Sequence, residues 1–373
     1  MDALMLPLNW QKVRLGDIGK PCMCKRVMKH QTTRYGEIPF YKIGTFGNTA
    51  DAFISKKLFL EYKTKYSFPK KGDILISASG TIGRAVIYDG KPAYFQDSNI
   101  VWIDNDETLV KNDFLFYAYS NVKWNTEHTT ILRLYNDNFR NTLIPLPSLN
   151  EQSAIANILS GLDRYLCALD ALILKKEGVK KSLSFELLSQ RKRLKGFNQA
   201  WQRVRLGDIA NYLTSNLSVE QITQQGEIKV YDVNNFIGYT DTTFISDKPY
   251  ISIVKDGSVG RVRILPPKTN ILSTMGALIA NHRTTTEFLF YLLSNFDFKN
   301  FTSGSIIPHI YFKDYKEKTI FLPPLNEQIA IANILSGLDN EIASLKNKKR
   351  QFENIKKALN HDLMSAKIRV LEK

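Results

Sequence analysis

Two short stretches, SGTIGR from Ser79 to Arg84 and DGSVGR from Asp256 to Arg261, each join two glycines, a hydroxyl and an arginine behind an apolar run. Those residue types suit contact with a polyanion. Glycine lets the backbone approach closely, Thr81 or Ser258 offers a hydroxyl to a phosphate, and Arg84 or Arg261 reaches a phosphate or a guanine edge. Ser79 and Lys255 open the same turns. A plain turn with a solvated arginine is the competing reading, and no Lys-Ser/Thr pair follows the glycines, which excludes a P-loop. A second pair of stretches, from Thr126 to Phe139 and from Thr302 to Tyr315, occupies equivalent places. Their polar starts present Thr129, Thr130 and Arg133 in one copy and Ser303, Ser305 and His309 in the other, all suited to a nucleic-acid groove. Their aromatic ends, Tyr135 and Phe139 against Tyr311 and Tyr315, read as core. Tyr41, Lys42, Tyr231 and Asp232 lie in a repeated strand whose unlike polar residues could distinguish bases, with an ordinary surface strand as the preferred reading.

Catalytic chemistry finds less support. Base methylation needs a glycine loop for its cofactor and an Asn/Asp-Pro-Pro-aromatic motif, and LPPLN and LPPKT lack both the acidic or amide residue and the aromatic. A loose carboxylate pattern around Asp51, Glu61 and Lys63 has no counterpart in the other copy. The five histidines show no metal spacing, and Cys22, Cys24 and Cys167 form neither a disulfide framework nor a zinc set.

Charge points the same way as the loops. The 373 residues carry 51 Lys+Arg against 36 Asp+Glu, a net charge of +15, so a polyanion is the natural partner. Basic residues are spread along the chain and no apolar run approaches the roughly 20 residues of a membrane span, so nucleic acid is preferred over lipid. The start MDALMLPLNW lacks the pattern of a secretory signal, and an intracellular, cytoplasmic protein is expected.

The elements that position these residues come twice. WQKVRLGDI at Trp10 returns as WQRVRLGDI at Trp201, and DFLFYAYSN at Asp113 returns as EFLFYLLSN at Glu287. LPSLNEQSAIANILSGLD from Leu146 returns as LPPLNEQIAIANILSGLD from Leu322 with sixteen of eighteen positions identical. The chain is a tandem duplication. Its offset falls from 191 to 176 within the unit, so the second copy has lost residues in its middle. Strands are expected at DILISAS and KVYDV, a helix at each FLFY segment, and a long helix from near Asn150 and Asn326. Glu151 and Glu327 fall in the first turn, where a carboxylate complements the helix dipole. The second helix has an apolar stripe through Ile331, Ile334, Leu338, Ile342, Leu345, Phe352, Ile355, Leu359 and Leu363; the first is less regular, through Ile155, Ile158, Leu162, Leu166, Leu169, Ile173, Leu183 and Leu187. Such stripes need a partner, and each other's helix is the nearest. Of the +15, the helical segments carry +4 and +3, so phosphate binding is assigned mainly to the remainder of the chain.

WQKVRLGDI, GDILISASGTIGR, FLFYAYSN and LPSLNEQSAIANIL together resemble the specificity (S) subunit of type I restriction-modification systems, over nearly the whole chain. The resemblance implies an α+β fold: two α/β target recognition domains, related by a pseudo-two-fold, separated by a long antiparallel two-helix coiled coil. The boundaries read as recognition domains at 1–146 and 198–322 and spacer helices at 147–197 and 323–373. It further implies a non-catalytic subunit serving defence against foreign DNA. Each domain would read one half of a bipartite asymmetric double-stranded DNA site, while the helices fix the gap and dock two methyltransferase subunits. Restriction subunits join that core. Partner binding falls to Glu151, Gln152 and Asn157 and to Glu327, Gln328 and Asn333. This chain would hold no cofactor, whereas the complex would use S-adenosylmethionine, ATP and magnesium to methylate adenine N6 and to cleave DNA. The compact second domain, with DGSVGR for SGTIGR, suggests a shorter loop there. The alternatives are a stand-alone DNA-binding regulator or architectural protein, and a coiled-coil scaffold with incidental charge.

Overall fold

The computed structural model describes residues 10–128 and 132–370. Thr129 and Thr130 therefore lie outside the described residues. The chain divides into two units: the first takes residues up to 169 together with those from 348 onward, and the second takes residues 170–347.

In the first unit an antiparallel four-stranded sheet has the order Gly19–Cys22, Ile100–Asn105, Ile74–Ser77, Ala85–Ile87. Its two central strands are almost wholly buried, as their β-branched runs demand, and the proline-bearing strand sits at an edge, where its missing N–H leaves no ladder bond unmade. A three-stranded sheet, Phe53–Ile54, Ile38–Tyr41, Tyr94–Phe95, lies beside the helix Lys56–Lys65. Ser55 caps that helix, its hydroxyl accepting the Leu58 N–H at 3.2 Å. The opening strand Gln11–Arg14 pairs with Leu143–Leu146, which leads directly into the long helix Leu149–Leu188.

The second unit repeats this plan strand for strand. Its four-stranded sheet runs Ala210–Thr214, Met275–Ala280, Tyr250–Val254, Val262–Leu265, and its three-stranded sheet Phe236–Thr240, Ile228–Tyr231, Thr269–Ile271. Gln202–Arg205 pairs with Thr319–Leu322 ahead of the long helix Leu325–Met364. No helix stands in the place of Lys56–Lys65. The residues missing from the second copy are thus that helix and its flanks. The glycine loop is not shortened: the link from Ser77 to Arg84 closes like that from Val254 to Arg261, with Ser77 N–H bonding Arg84 O at 3.0 Å and Val254 N–H bonding Arg261 O at 2.9 Å.

Each long helix starts in one unit and ends in the other. In the first unit Ile155, Ala156 and Leu159, from a helix start, share a core with Leu363 and Met364, from a helix end. In the second, Ile331, Ala332 and Leu335 share one with Leu187. The pairing is antiparallel within each unit, since Asp163 meets Lys356 and Glu151 meets Arg369 in one, while Asp339 meets Lys180 and Glu327 meets Arg193 in the other. The apolar stripe expected from spacing is displaced at three places: Ile158, Ile334 and Ile355 are 40%, 37% and 50% exposed. No helix among the described residues is long and apolar enough to cross a membrane.

Candidate nucleic-acid interface

In both units the glycine loop and the later polar stretch are brought together. In the first, Ser79 bridges Arg133, Gly80 N–H donates to Leu132 O at 3.1 Å, and Leu134 N–H to Ala78 O at 3.0 Å. In the second, Asp256 bridges His309, Gly257 N–H donates to Pro308 O, and Ile310 N–H to Lys255 O, both at 2.9 Å. Each polar stretch is a two-stranded hairpin, Glu127–His128 with Leu132–Arg133 and Thr302–Ser303 with His309–Ile310. Gly83 and Gly260 have φ of +81° and +80°, and a Cβ there would lie 2.1 Å from the Trp124 ring and 2.6 Å from the Phe298 ring. These glycines serve packing as well as conformation.

Thr81, Ser258, Ser303 and Ser305 are exposed, whereas Ser79 is buried and its side chain is not offered to a ligand. Arg84 donates to Phe46 O at 3.0 Å and Arg261 to Asn234 Oδ1 at 2.9 Å, so both guanidiniums are pre-positioned by neutral acceptors that leave their charge unneutralised. His309 Nδ1 meets Asp256 Oδ1 at 2.6 Å. Phe139 and Tyr315 are core residues, but Tyr135 and Tyr311 are 43% and 49% exposed. The alternation of the segment between hairpin and short helix turns those two rings outward, against the expectation of core.

Beside the hairpin of the first unit lies a cleft of about 510 Å³ whose lining includes Arg26, Lys29, Lys42 and Arg133. Asp97 lies 2.7 Å from Arg26 and Asp51 2.8 Å from Lys42, while Lys29 and Arg133 have no acidic partner among the described residues. The repeat offsets and the matched 3-10 helices Lys29–Gln31 and Val219–Gln221 place Asn216, Val219, Asp232 and His309 at the equivalent positions of the second unit. None of the four is a Lys or Arg. Two copies of one scaffold thus present different chemistry at the same place. Among the described residues no cluster of His, Cys, Asp and Glu could hold a metal ion.

The near-identical helix starts have an internal explanation. Glu151 is 4% and Glu327 0% exposed. Trp10 Nε1 donates to Glu151 at 2.9 Å and Trp201 Nε1 to Glu327 at 3.0 Å. Arg369 adds two bonds of 3.1 Å to Glu151, and Arg193 adds bonds of 3.2 and 2.7 Å to Glu327. The carboxylate therefore ties together the first tryptophan of each repeat, a helix start and the residue beyond a helix end. Gln152 accepts from Lys111 N–H and donates to Leu109 O and Pro147 O. Gln328 accepts from Thr285 N–H and Thr284 Oγ1 and donates to Arg283 O and Pro323 O. Both glutamines are 0% exposed. Glu151, Gln152, Glu327 and Gln328 are accordingly not available to a partner, contrary to the sequence expectation; their hydrogen-bonding capacity is used inside their own units. Asn157 and Asn333 do face solvent.

A second junction repeats as well. Tyr117 and Tyr291 hydroxyls donate to Asp163 and Asp339 at 2.7 and 2.9 Å, and Lys356 and Lys180 pair with the same two aspartates. Burial, then the neighbouring carboxylate, pushes both phenols above their ordinary value, so they remain donors. Sequence reasoning passed over these tyrosines, lysines and arginines. The signal was present: Lys180, Leu187 and Arg193 recur as Lys356, Leu363 and Arg369 at the offset of 176 that relates the helix starts.

Comparison with known proteins agrees with this geometry. The family model described as type I restriction modification DNA specificity domain matches residues 7–176 and again 198–354. A protein of Haemophilus influenzae described as a type I restriction enzyme specificity subunit is 63% identical over 148 residues, 39% of this chain and 38% of that protein's length. The type I restriction enzyme MjaVIII specificity subunit of Methanocaldococcus jannaschii is 25% identical over 99% of this chain and 95% of its own. In fold, the crystal structure of a type I restriction-modification S subunit from M. genitalium superposes with a TM-score of 0.63, at 20% identity over 96% of this chain and 98% of that one. A chain solved for complex assembly and conformational transition of the type I R-M system gives 0.57, at 16% identity over the same shares. A tandem scaffold that holds two unlike loop-and-hairpin faces on matching buried carboxylates, together with a family model matched twice, makes this chain a member of the type I restriction modification DNA specificity family.

Proposed function

We propose that each unit reads one half of a bipartite, asymmetric double-stranded DNA site, through its glycine loop, its hairpin and the surface beside them. The observation that carries this reading is the contrast between scaffold and face: sheet order, clamp and helix start are the same twice, while Arg26, Lys29, Lys42 and Arg133 give way to Asn216, Val219, Asp232 and His309. Selection that fixes a frame and varies a face is what two half-sites of different sequence require. Thr81, Arg84 and Arg133, and Lys255, Ser258, Arg261, Ser303 and Ser305, are the contacts assigned to DNA, with phosphates positioning and base edges specifying. Thr129 and Thr130 join that set as expected contacts.

The chain's role is recognition; the chemistry is assigned to partners. Two methyltransferase subunits would bring S-adenosylmethionine to adenine N6, and restriction subunits ATP and magnesium. Their docking face on each helix start is the solvent side: Leu149, Asn157, Ile158 and Gly161, repeated as Leu325, Asn333, Ile334 and Gly337. A Cβ at either glycine would meet nothing within 4 Å among the described residues beyond its own helix turn, and a mid-helix glycine costs about 1 kcal/mol relative to alanine. A glycine kept twice without an internal use fits close approach by another backbone.

The test is to express the chain with its cognate methyltransferase and map methylated bases genome-wide. A two-part motif with a fixed gap is expected, and replacing residues 10–146 should change one half alone. DNA binding by the chain without any methyltransferase-dependent motif would sink the reading.

A further inference from the structure

Within the second unit, the hairpin Thr302–Ile310 ends in the most exposed large apolar side chain described, Ile306 at 92%, followed by Ile307 at 55%. Its mounting is firm. Gly304 has φ +91°, and a Cβ there would lie 2.2 Å from Ile307 O, so the turn admits only glycine. Pro308 O is held by Gly257 N–H, His309 by Asp256, and Ile310 is buried in the core at 1% exposure. A braced turn that keeps two branched apolar side chains in water presents them to something. The segments that carry it also hold Lys255, Arg261, Lys299 and Lys313, none of which has an acidic partner among the described residues, against Asp297, Asp314 and Asp256, the last taken up by His309. An excess of cations on the segments that mount an apolar point complements a polyanion whose interior is apolar, which describes stacked bases between phosphates.

We propose that Ile306, supported by Ile307, is a wedge that enters between base pairs of the half-site read by the second unit and unstacks one step. Apolar side chains used this way partly unstack a base step and kink the duplex there. The step's ease of unstacking then becomes part of the specificity, without a hydrogen bond to any base. Such a device suits the unit whose face lacks the cationic residues at 26, 29, 42 and 133 of the other.

This inference rests on the reading of the second unit as a DNA-recognition unit, and its test keeps the two apart. With the motif mapped as above, duplexes carrying 2-aminopurine at successive positions of that half-site are mixed with the complex of chain and methyltransferase. Fluorescence should rise at one step, Ile306→Ser should abolish that rise and weaken binding on the order of ten-fold, and Ile306→Leu should keep it. Because Ile306 contributes nothing to the core, the variants should fold. A fluorescence profile unchanged by Ile306→Ser in a complex that still methylates its motif would overturn the wedge alone. Loss of methyltransferase association by Ile306→Ser would make the tip a protein contact and overturn it too. Absence of any two-part motif would overturn both readings.

Discussion

Gln152 and Gln328 show how much can depend on one neutral side chain. Each spans backbone groups from two segments, and neither touches water. Removing the amide with Gln152→Ala or Gln328→Ala strands at least two buried backbone groups, at about 1–3 kcal/mol each. A loss on the order of 3 kcal/mol is expected, read as a lower urea midpoint, with slower-exchanging amides around Leu109 or Arg283 becoming faster. Tyrosine ionisation sets the alkaline limit. Tyr88 and Tyr250 are pushed up to about 12, chiefly by burial, and Tyr117 and Tyr291 are raised as well. An acid whose folded value lies above its unfolded value of about 10 keeps its proton folded and loses it unfolded. Stability is therefore intact below about pH 10 and falls as pH climbs from about 10 toward 12, which urea titrations at stepped pH would show. Burial likewise pushes Cys24 up to about 12, while Cys167 is exposed. Iodoacetamide should label Cys167 in the native chain and Cys24 only after denaturation, by mass spectrometry.

At the scale of elements, the sequence announced the starts of the long helices nearly to the residue, because a proline, an acidic first turn and repeated apolar spacing all agree at Leu149 and Leu325, whereas the ends at Leu188 and Met364 fall short of the expected bounds at 197 and 373. It placed most of the buried stripe correctly, through Ile155, Leu169, Ile173, Leu187, Ile331, Ile342 and Leu363, but took three exposed positions for buried ones. Ile158 and Ile334 fit the 3.5-residue period, yet the buried positions are Ile155, Ala156 and Leu159 and their repeats, and periodicity cannot tell a side packed at home from a side kept apolar for another protein. The glycine loops were visible in the sequence as turns behind buried strands, though the second is not shortened as its residues suggested, and the hairpin's polarity was visible too. The carboxylate clamp was not, since Trp10 and Arg369 are 141 and 218 residues away from Glu151, and a glutamate in a first turn looks the same whether it faces water or an indole. The helix glycines give a test with two readouts. Gly161→Ala and Gly337→Ala should each stabilise the free chain by about 0.5–1 kcal/mol, and should weaken its association with the methyltransferase, measured by titration calorimetry. Gain in the first without loss in the second would remove the close-approach argument.

For the molecule as a whole, the uneven distribution of cations between the units predicts uneven sensitivity to salt. Lys29→Gln with Arg133→Gln should flatten the slope of log affinity against log salt by roughly two, about 0.9 for each phosphate no longer neutralised. Neutral changes at Val219 and His309 should leave that slope alone. The carboxylate clamps carry a different implication. In the second unit Arg193 and Trp201, joined by the seven residues Leu194 to Ala200, converge on Glu327. In the first, Arg369 and Trp10 converge in the same manner on Glu151, with both reaching Oε2, at 3.1 and 2.9 Å. One clamp is thus bridged by a short stretch of backbone, while its repeat brings the same two residue types together without one. Joining Arg369 back to Trp10 through about seven residues and cutting between Leu194 and Ala200 should yield a circular permutant with the same fold. Its circular dichroism and urea midpoint should match those of the original chain, because each clamp holds its arginine and tryptophan with or without a covalent link between them.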